Sequence, residues 1–464
     1  MPTPAEGHNQ TTPRATRPVP LYPGATTTTT LPPLPIDSRE QLVYLLTQAS
    51  ELEQGVLCEY LFALYSLKRD PHDQDGLSAE QVAQITSWGR TLSQIAVQEM
   101  LHLALATNLL TALGGTPHFH RPNFPIRCQW YPPDVRIALV PFGETALRHF
   151  LYLERPDHID VQDGDLFAAA CECRPLTATA ATLMAGPQDY STVGHLYRSI
   201  EHGFERLVER YGEAGVFVGP PHAQATSRLL GWPELLAVTD LASAKTAIAT
   251  IVEQGEGTCG DWREAHFGRL AAVLEEFLAA TEADPAFAPA YPARPAYVRR
   301  PPDQPQAAII SDPLTAQVAD LFDAAHQTML QALCRLWVRG ATAGDRADEE
   351  TGDDTGDGAA ILADTAIELM AGVLRPLGSL LTTLPLGPGH PGELAGPAFF
   401  MVHPSQFVLP YQEAAWAVML QRLGEMADAC VRLRDDPALG QPAKDRIAKL
   451  EPTVRAIAAK LQAR

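Results

Sequence analysis

Residues 90–115 read RTLSQIAVQEMLHLALATNLLTALGG, an apolar run that carries a carboxylate, Glu99, and an imidazole, His102, three positions apart. At 100° per residue Glu99 shares a face with Trp88, Leu92, Ile95, Leu103, Ala106 and Leu110. His102 lies about 60° away on the same side, so both side chains are expected to be buried. A buried carboxylate costs several kcal/mol unless it is paired or holds a cation. The helix is expected from about Ser78 to Leu113, stopping at Gly114 and Gly115.

The preceding helix, which begins near Asp37 or Ser38, repeats the anomaly. Glu53 lies in line with Leu57, Tyr60 and Leu64, whereas Glu51 and Glu59 point away from that stripe. In an antiparallel hairpin Glu53 and Glu99 reach similar heights, and two facing carboxylates repel unless a cation sits between them. Helical spacing returns in YSTVGHLYRSIEHGFERLVERY (190–211), which offers Glu201 beside Tyr197, Phe204 and Val208. It returns again in LASAKTAIATIVEQGEG (241–257). There Glu253 and Glu256 are one turn apart; periodicity favours Glu256 and leaves Glu253 as the alternative. The fourth helix is read as resuming in DWREAHF, where His266 falls in line with Trp262, Leu270, Val273 and Phe277.

Two short-looped helices, a long crossover over 114–189 and two more helices is the layout of a ferritin-like four-helix bundle. The expected fold is all-α: a disordered Pro/Thr-rich tail over 1–37, the bundle over 38–285, a Pro-rich linker over 286–310 and a second helical block over 311–464. That block carries an acidic loop at 340–360. Carboxylates from each helix with one Glu-x-x-His pair and a further His form the donor set of a di-iron carboxylate site. Glu53, Glu99, His102, Glu201, Glu253, Glu256 and His266 are the candidate metal ligands, for two Fe per chain with Mn also compatible. Tyr60 and Tyr197 are the candidates for shaping a pocket or relaying electrons. In the C-terminal block His326, beside Phe322, Met329 and Trp337, reads as a satisfied core histidine.

The chain resembles the ferritin-like domain family associated with iminophenyl-pyruvate dimer synthases of violacein and indolocarbazole pathways. The resemblance rests on ELEQGVLCEYLFALYSLK (51–68), IAVQEMLHLALATNLLTALGGTPHFHRPNFP (95–125), LYRSIEHGFERL (196–207), IVEQGEG (251–257) with the later HF, and VLRPLGSLLTTLPLGPGHPGELAGPAFFM (373–401). It implies that Glu53, Glu99, His102, Glu201, Glu253 or Glu256, and His266 bind metal. It does not transfer the reaction, since dimer synthases are much larger proteins.

The 464 residues have a formal net charge of -20, which disfavours a phosphate-binding surface, so nucleic acid is not an expected partner. Seven scattered cysteines suit reduced thiols, and no segment runs to eighteen uninterrupted apolar residues, so a cytoplasmic protein without a membrane role is expected. The leading reading is a non-haem di-iron oxidase or oxygenase in secondary metabolism. Its partners would be a small organic substrate and dioxygen, with an external electron donor and a homo-oligomer left open. The alternative is an iron-binding or storage module, or a scaffold whose metal site has decayed. The turn GGTPHFHRPNFP (114–125) is expected to wall a closed pocket near the metals with Phe119, Phe124 and one of His118 or His120.

Overall fold

The computed structural model describes residues 26–27, 30–69, 71, 74, 76–126, 136–164, 185–257, 262–338, 355–403 and 405–463. The main helices are α1 (Arg39–Ser66), α2 (Ala79–Ala112), α3 (Glu144–Leu153), α4 (Val193–Tyr211), α5 (Leu241–Gly255), α6 (His266–Ala283) and α7 (Pro313–Trp337). They continue with α8 (Thr355–Leu369), α9 (Arg375–Leu381), α10 (Gln412–Asp435), α11 (Gln441–Ala448) and α12 (Leu450–Gln462). Among the described residues strand is confined to a two-residue antiparallel pair, Thr26–Thr27 with Ile159–Asp160, and a parallel pair, Ala293–Pro295 with Leu394–Gly396.

The hairpin α1–α2 is the spine of the molecule. Ser38 caps α1 by accepting from the Gln41 amide at 3.1 Å, and Ser78 opens α2 in a reciprocal box with Gln81. Gly114, at φ +83, ends α2 in the left-handed region that favours glycine. Helices α4 and α5 pack on one side of the hairpin and complete the four-helix bundle, while α3 of the crossover packs on α6. By composition α2 alone among the described helices could cross a membrane, but it is 83% buried inside the fold over its most apolar window.

Several expectations need correcting. The chain joins the core before residue 38, because Ile36 is fully buried and the Leu34 amide donates to Ser199 Oγ at 2.9 Å. DWREAHF does not resume the fourth helix. Gly257, at φ +86, breaks it, and α6 starts afresh at His266. Residues 286–310 are not a loose tether, since Phe287, Ala293, Ala296 and Ile310 are buried in a hydrophobic core that runs unbroken from the bundle into the C-terminal helices. Most of the acidic segment at 340–360 lies outside the described residues, and α8 begins within it at Thr355.

Candidate metal centre

Six acidic and imidazole side chains converge inside the bundle. Glu53 of α1, Glu99 and His102 of α2, Glu256 at the end of α5 and His266 at the start of α6 are all buried, as is Glu154, just beyond α3. The Glu99 carboxylate sits between two imidazoles. Its Oε1 is 2.9 Å from His266 Nδ1 and its Oε2 is 3.5 Å from His102 Nδ1. His102 Nδ1 also lies 3.7 Å from Glu53 Oε2, and His266 Nδ1 lies 3.4 Å from Glu154 Oε1. The two rings are roughly parallel, with centroids 5.4 Å apart. Donor atoms of Glu99, His102 and His266 lie within 4.8 Å of one another.

Further polar groups hold the cluster in place. Gln254 Oε1 is 3.1 Å from His102 Nε2, which leaves Nδ1 directed at the carboxylates. The Tyr197 hydroxyl donates to Glu53 Oε1 at 2.6 Å and the Tyr60 hydroxyl donates to Glu154. The Gly194 amide donates to Glu256 Oε1 at 2.8 Å. A Cβ at position 194 would lie 2.0 Å from that oxygen, so glycine is needed here for close approach.

Charge without solvent perturbs these groups. Burial pushes Glu53 up to about 7 against the hydrogen bond from His102, and burial likewise pushes Glu256 up to about 7. Burial also acts upward on Glu99, but His102 and His266 on its two oxygens hold it below the usual carboxylate range. Burial opposes charge on both imidazoles, yet Glu99 and its neighbours raise His102 well above the ordinary value, and Glu154 leads in raising His266.

The donor set fits a transition metal. Carboxylates and imidazoles without thiolate suit Fe or Mn, a cavity of about 30 Å³ lies among Glu53, Glu99, His102, Glu154 and Glu256, and His102 and His266 both turn Nδ1 toward the carboxylates.

Residues 46–275 match the ferritin-like family model. The chain contains a ferritin-like domain. Over 436 residues it is 27% identical to dichlorochromopyrrolate synthase of Lentzea aerocolonigenes, an alignment that covers 86% of this chain and 40% of that protein. It is 28% identical over 389 residues to 2-imino-3-(indol-3-yl)propanoate dimerase of Chromobacterium violaceum, covering 79% of this chain and 34% of that one. The chain thus spans well under half the length of the curated relatives it matches. A solved ferritin-like protein from Caulobacter vibrioides superposes with a TM-score of 0.41 at 20% identity, covering 71% of this chain and 96% of that one.

Within the ferritin-like domain the sequence expectations divide. Glu53, Glu99, His102, Glu256 and His266 come together. Glu201 does not, because α4 turns Tyr197 and Phe204 inward and leaves Glu201 on its wet edge, 3.6 Å from Lys245 Nζ. Glu253 is exposed on α5, so of the two alternatives only Glu256 reaches the cluster. Glu154 was not anticipated. Its signal lay in the chain, since Glu154 and Glu256 both stand at helix C-termini, the wrong end of the helix dipole for a carboxylate.

Glu59, expected away from the core, is fully buried and meets His149 Nε2 at 3.3 Å, because the crossover covers that face of α1. The crossover reaches the cluster through Leu153 and Glu154. His118 faces Glu51 at 2.9 Å, His120 Nε2 lies 2.9 Å from the His403 carbonyl, and Phe124 lies under the Arg121 guanidinium. Phe119 alone of that turn walls a large cavity, and that cavity is on the other side of the hairpin.

Proposed function

We propose that Glu53, Glu99, His102, Glu154, Glu256 and His266 hold a pair of iron ions, with manganese as the alternative. The chain would then act as a non-haem oxidase or oxygenase on a small organic molecule in secondary metabolism. The observation that carries this reading is the Glu99 carboxylate with one oxygen toward each of two buried imidazoles and three further carboxylates around them. When bound, such a pair would supply the activation of dioxygen.

The chain's own contribution is placement. Gln254 fixes the orientation of His102, Tyr197 holds Glu53, the Tyr60 hydroxyl holds Glu154, and the apolar wall of Leu52, Val56 and Ile251 limits entry of water. Similarity to a synthase and a dimerase of small organic molecules supports an enzymatic role.

The cavity at the cluster is only about 30 Å³, which favours a second reading: iron binding without turnover of an organic substrate. Metal analysis of protein from iron-supplemented cells tests the common core of both. The expected result is about two irons per chain in the wild type and none in Glu99→Ala; protein that holds no metal in either form would contradict both. Oxygen uptake that requires an organic substrate and an external reductant would select the oxidase.

A further inference from the structure

On the far side of α1–α2 from the cluster, the hairpin, α7, α8 and the turn Met370–Leu374 enclose a cavity of about 350 Å³. That volume lies within the range of small-molecule pockets, about 300–1,000 Å³. Its wall is mostly apolar and rich in flat rings, among them Phe119, Trp232, Trp337 and Phe399, with Met100 and Met370 between them. Aromatic faces and thioethers suit a planar apolar ligand.

Three polar features interrupt this wall. His326 lines the cavity, is buried, and has no hydrogen-bond partner at Nδ1. Gln54 lines it too, and its Oε1 is buried and unpaired, although its amide nitrogen donates to the Phe119 carbonyl at 3.2 Å. At the mouth stands Arg375, exposed, and near it the half-buried Arg69; both guanidiniums sit close to Tyr65 of the wall. Burial, and then repulsion from Arg375, lowers the hold of Arg69 on its proton. Among the described residues neither guanidinium is paired with a carboxylate, and Arg69 Nε is buried without a partner. In a chain of net charge -20 two neighbouring cations with no carboxylate partner among the described residues mark a place for an anion.

Backbone irregularity collects at the same wall. Met370–Leu374 is a π-helical turn, a device frequent at functional sites. Phe399, whose ring packs on His326 at 5.5 Å, has φ +47, the one non-glycine residue with positive φ among those described.

We propose that this cavity is a binding site for an aromatic carboxylate, its ring system held among the Trp, Phe and Met side chains and its carboxylate by Arg375 at the mouth. His326 and Gln54 are the polar groups that meet the buried end. The site is independent of the metal cluster, since α1 and α2 lie between them.

Calorimetric titration of the full chain with 2-naphthylacetate and with its uncharged amide tests this, on metal-loaded and metal-stripped protein alike. The acid should bind more tightly than the amide. Arg375→Ala, at an exposed position, should weaken the acid about tenfold or more and leave the amide unchanged. Met100→Trp, which fills the cavity, should remove both, with far-ultraviolet circular dichroism confirming that it folds. No binding of either probe, an acid-to-amide ratio untouched by Arg375→Ala, or binding that survives Met100→Trp in folded protein would each overturn the proposal.

Discussion

The two faces of the α1–α2 hairpin use the same kind of apolar helix to opposite ends. On one face, Glu53, Glu99 and His102 are packed into mutual contact around about 30 Å³ of space. On the other, a single residue on from Glu53, Gln54 opens with Leu57, Met100 and Leu103 onto about 350 Å³. A shift of one residue is 100° around a helix, so neighbouring positions serve a crowded polar centre and a roomy apolar one. The first face invests in buried charge held by partners, and the second in shape.

The largest effect should follow from cutting into the charged face. Glu99→Ala should abolish metal binding and, without metal, still lower stability by about 3–5 kcal/mol, because two buried imidazoles lose their shared partner. Chemical denaturation of the apo forms checks this; an unchanged midpoint would show that the imidazoles do not depend on Glu99.

Adding atoms should separate the faces by sign. Gly194→Ala forces Glu256 out of place and should cost about 1–3 kcal/mol, with weaker metal retention. Ala104→Leu, on the cavity wall, should stabilise by up to about 1 kcal/mol. If both destabilise equally in thermal melts, the contrast in packing between the faces is wrong.

The block that closes the cavity should carry its own pH signature. Burial pushes Asp323 up to about 8 from an ordinary 3.8, so its contribution is complete below 3.8 and is lost as pH rises through about 8. Burial, with Arg121, pulls His326 down to about 3 from 6.5, so its contribution is present above 6.5 and is lost as pH falls toward 3. Between 3.8 and 6.5 the two slopes oppose. Above 6.5 only that of Asp323 remains, at most about 1.4 kcal/mol per pH unit. Denaturation midpoints of the wild type and Asp323→Asn across pH 6.5–8 check this, and the variant should be flatter. Smallest of all, Lys245→Ala at the exposed pairs with Glu205 and Glu201 should shift stability by less than about 1 kcal/mol and leave metal content unchanged.

Helical phase made much of this legible. Glu53, Glu99, His102 and Glu256 each interrupt an apolar helix, and their convergence follows from the order of the helices, although Leu57, Leu64 and Leu103, expected in line with Glu53 and Glu99, line the cavity on the other face. Phase failed where tertiary cover overrides it. Glu59 lies off the stripe of Glu53, yet the crossover buries it. Glu201 borders a stripe, yet the edge of α4 stays wet. Glu154 escaped because it caps the C-terminal end of α3, past the last residue of its apolar face, and only the packing of α3 on α6 carries it to His266. His326 does occupy an apolar face as expected, but it is not a satisfied core histidine, since its Nδ1 has no partner and the facing helices leave space before it, which no single helix reveals.

The buried carboxylates and imidazoles are expected to be a metal site and not a self-contained ion-pair network. Anomalous scattering at the iron edge, from crystals grown with ferrous iron, tests it most directly. Peaks are expected beside the Glu99 carboxylate, within reach of His102 and His266; crystals soaked to saturation that show no peak there, with Glu99 simply bridging the two imidazoles, would rule out a metal site.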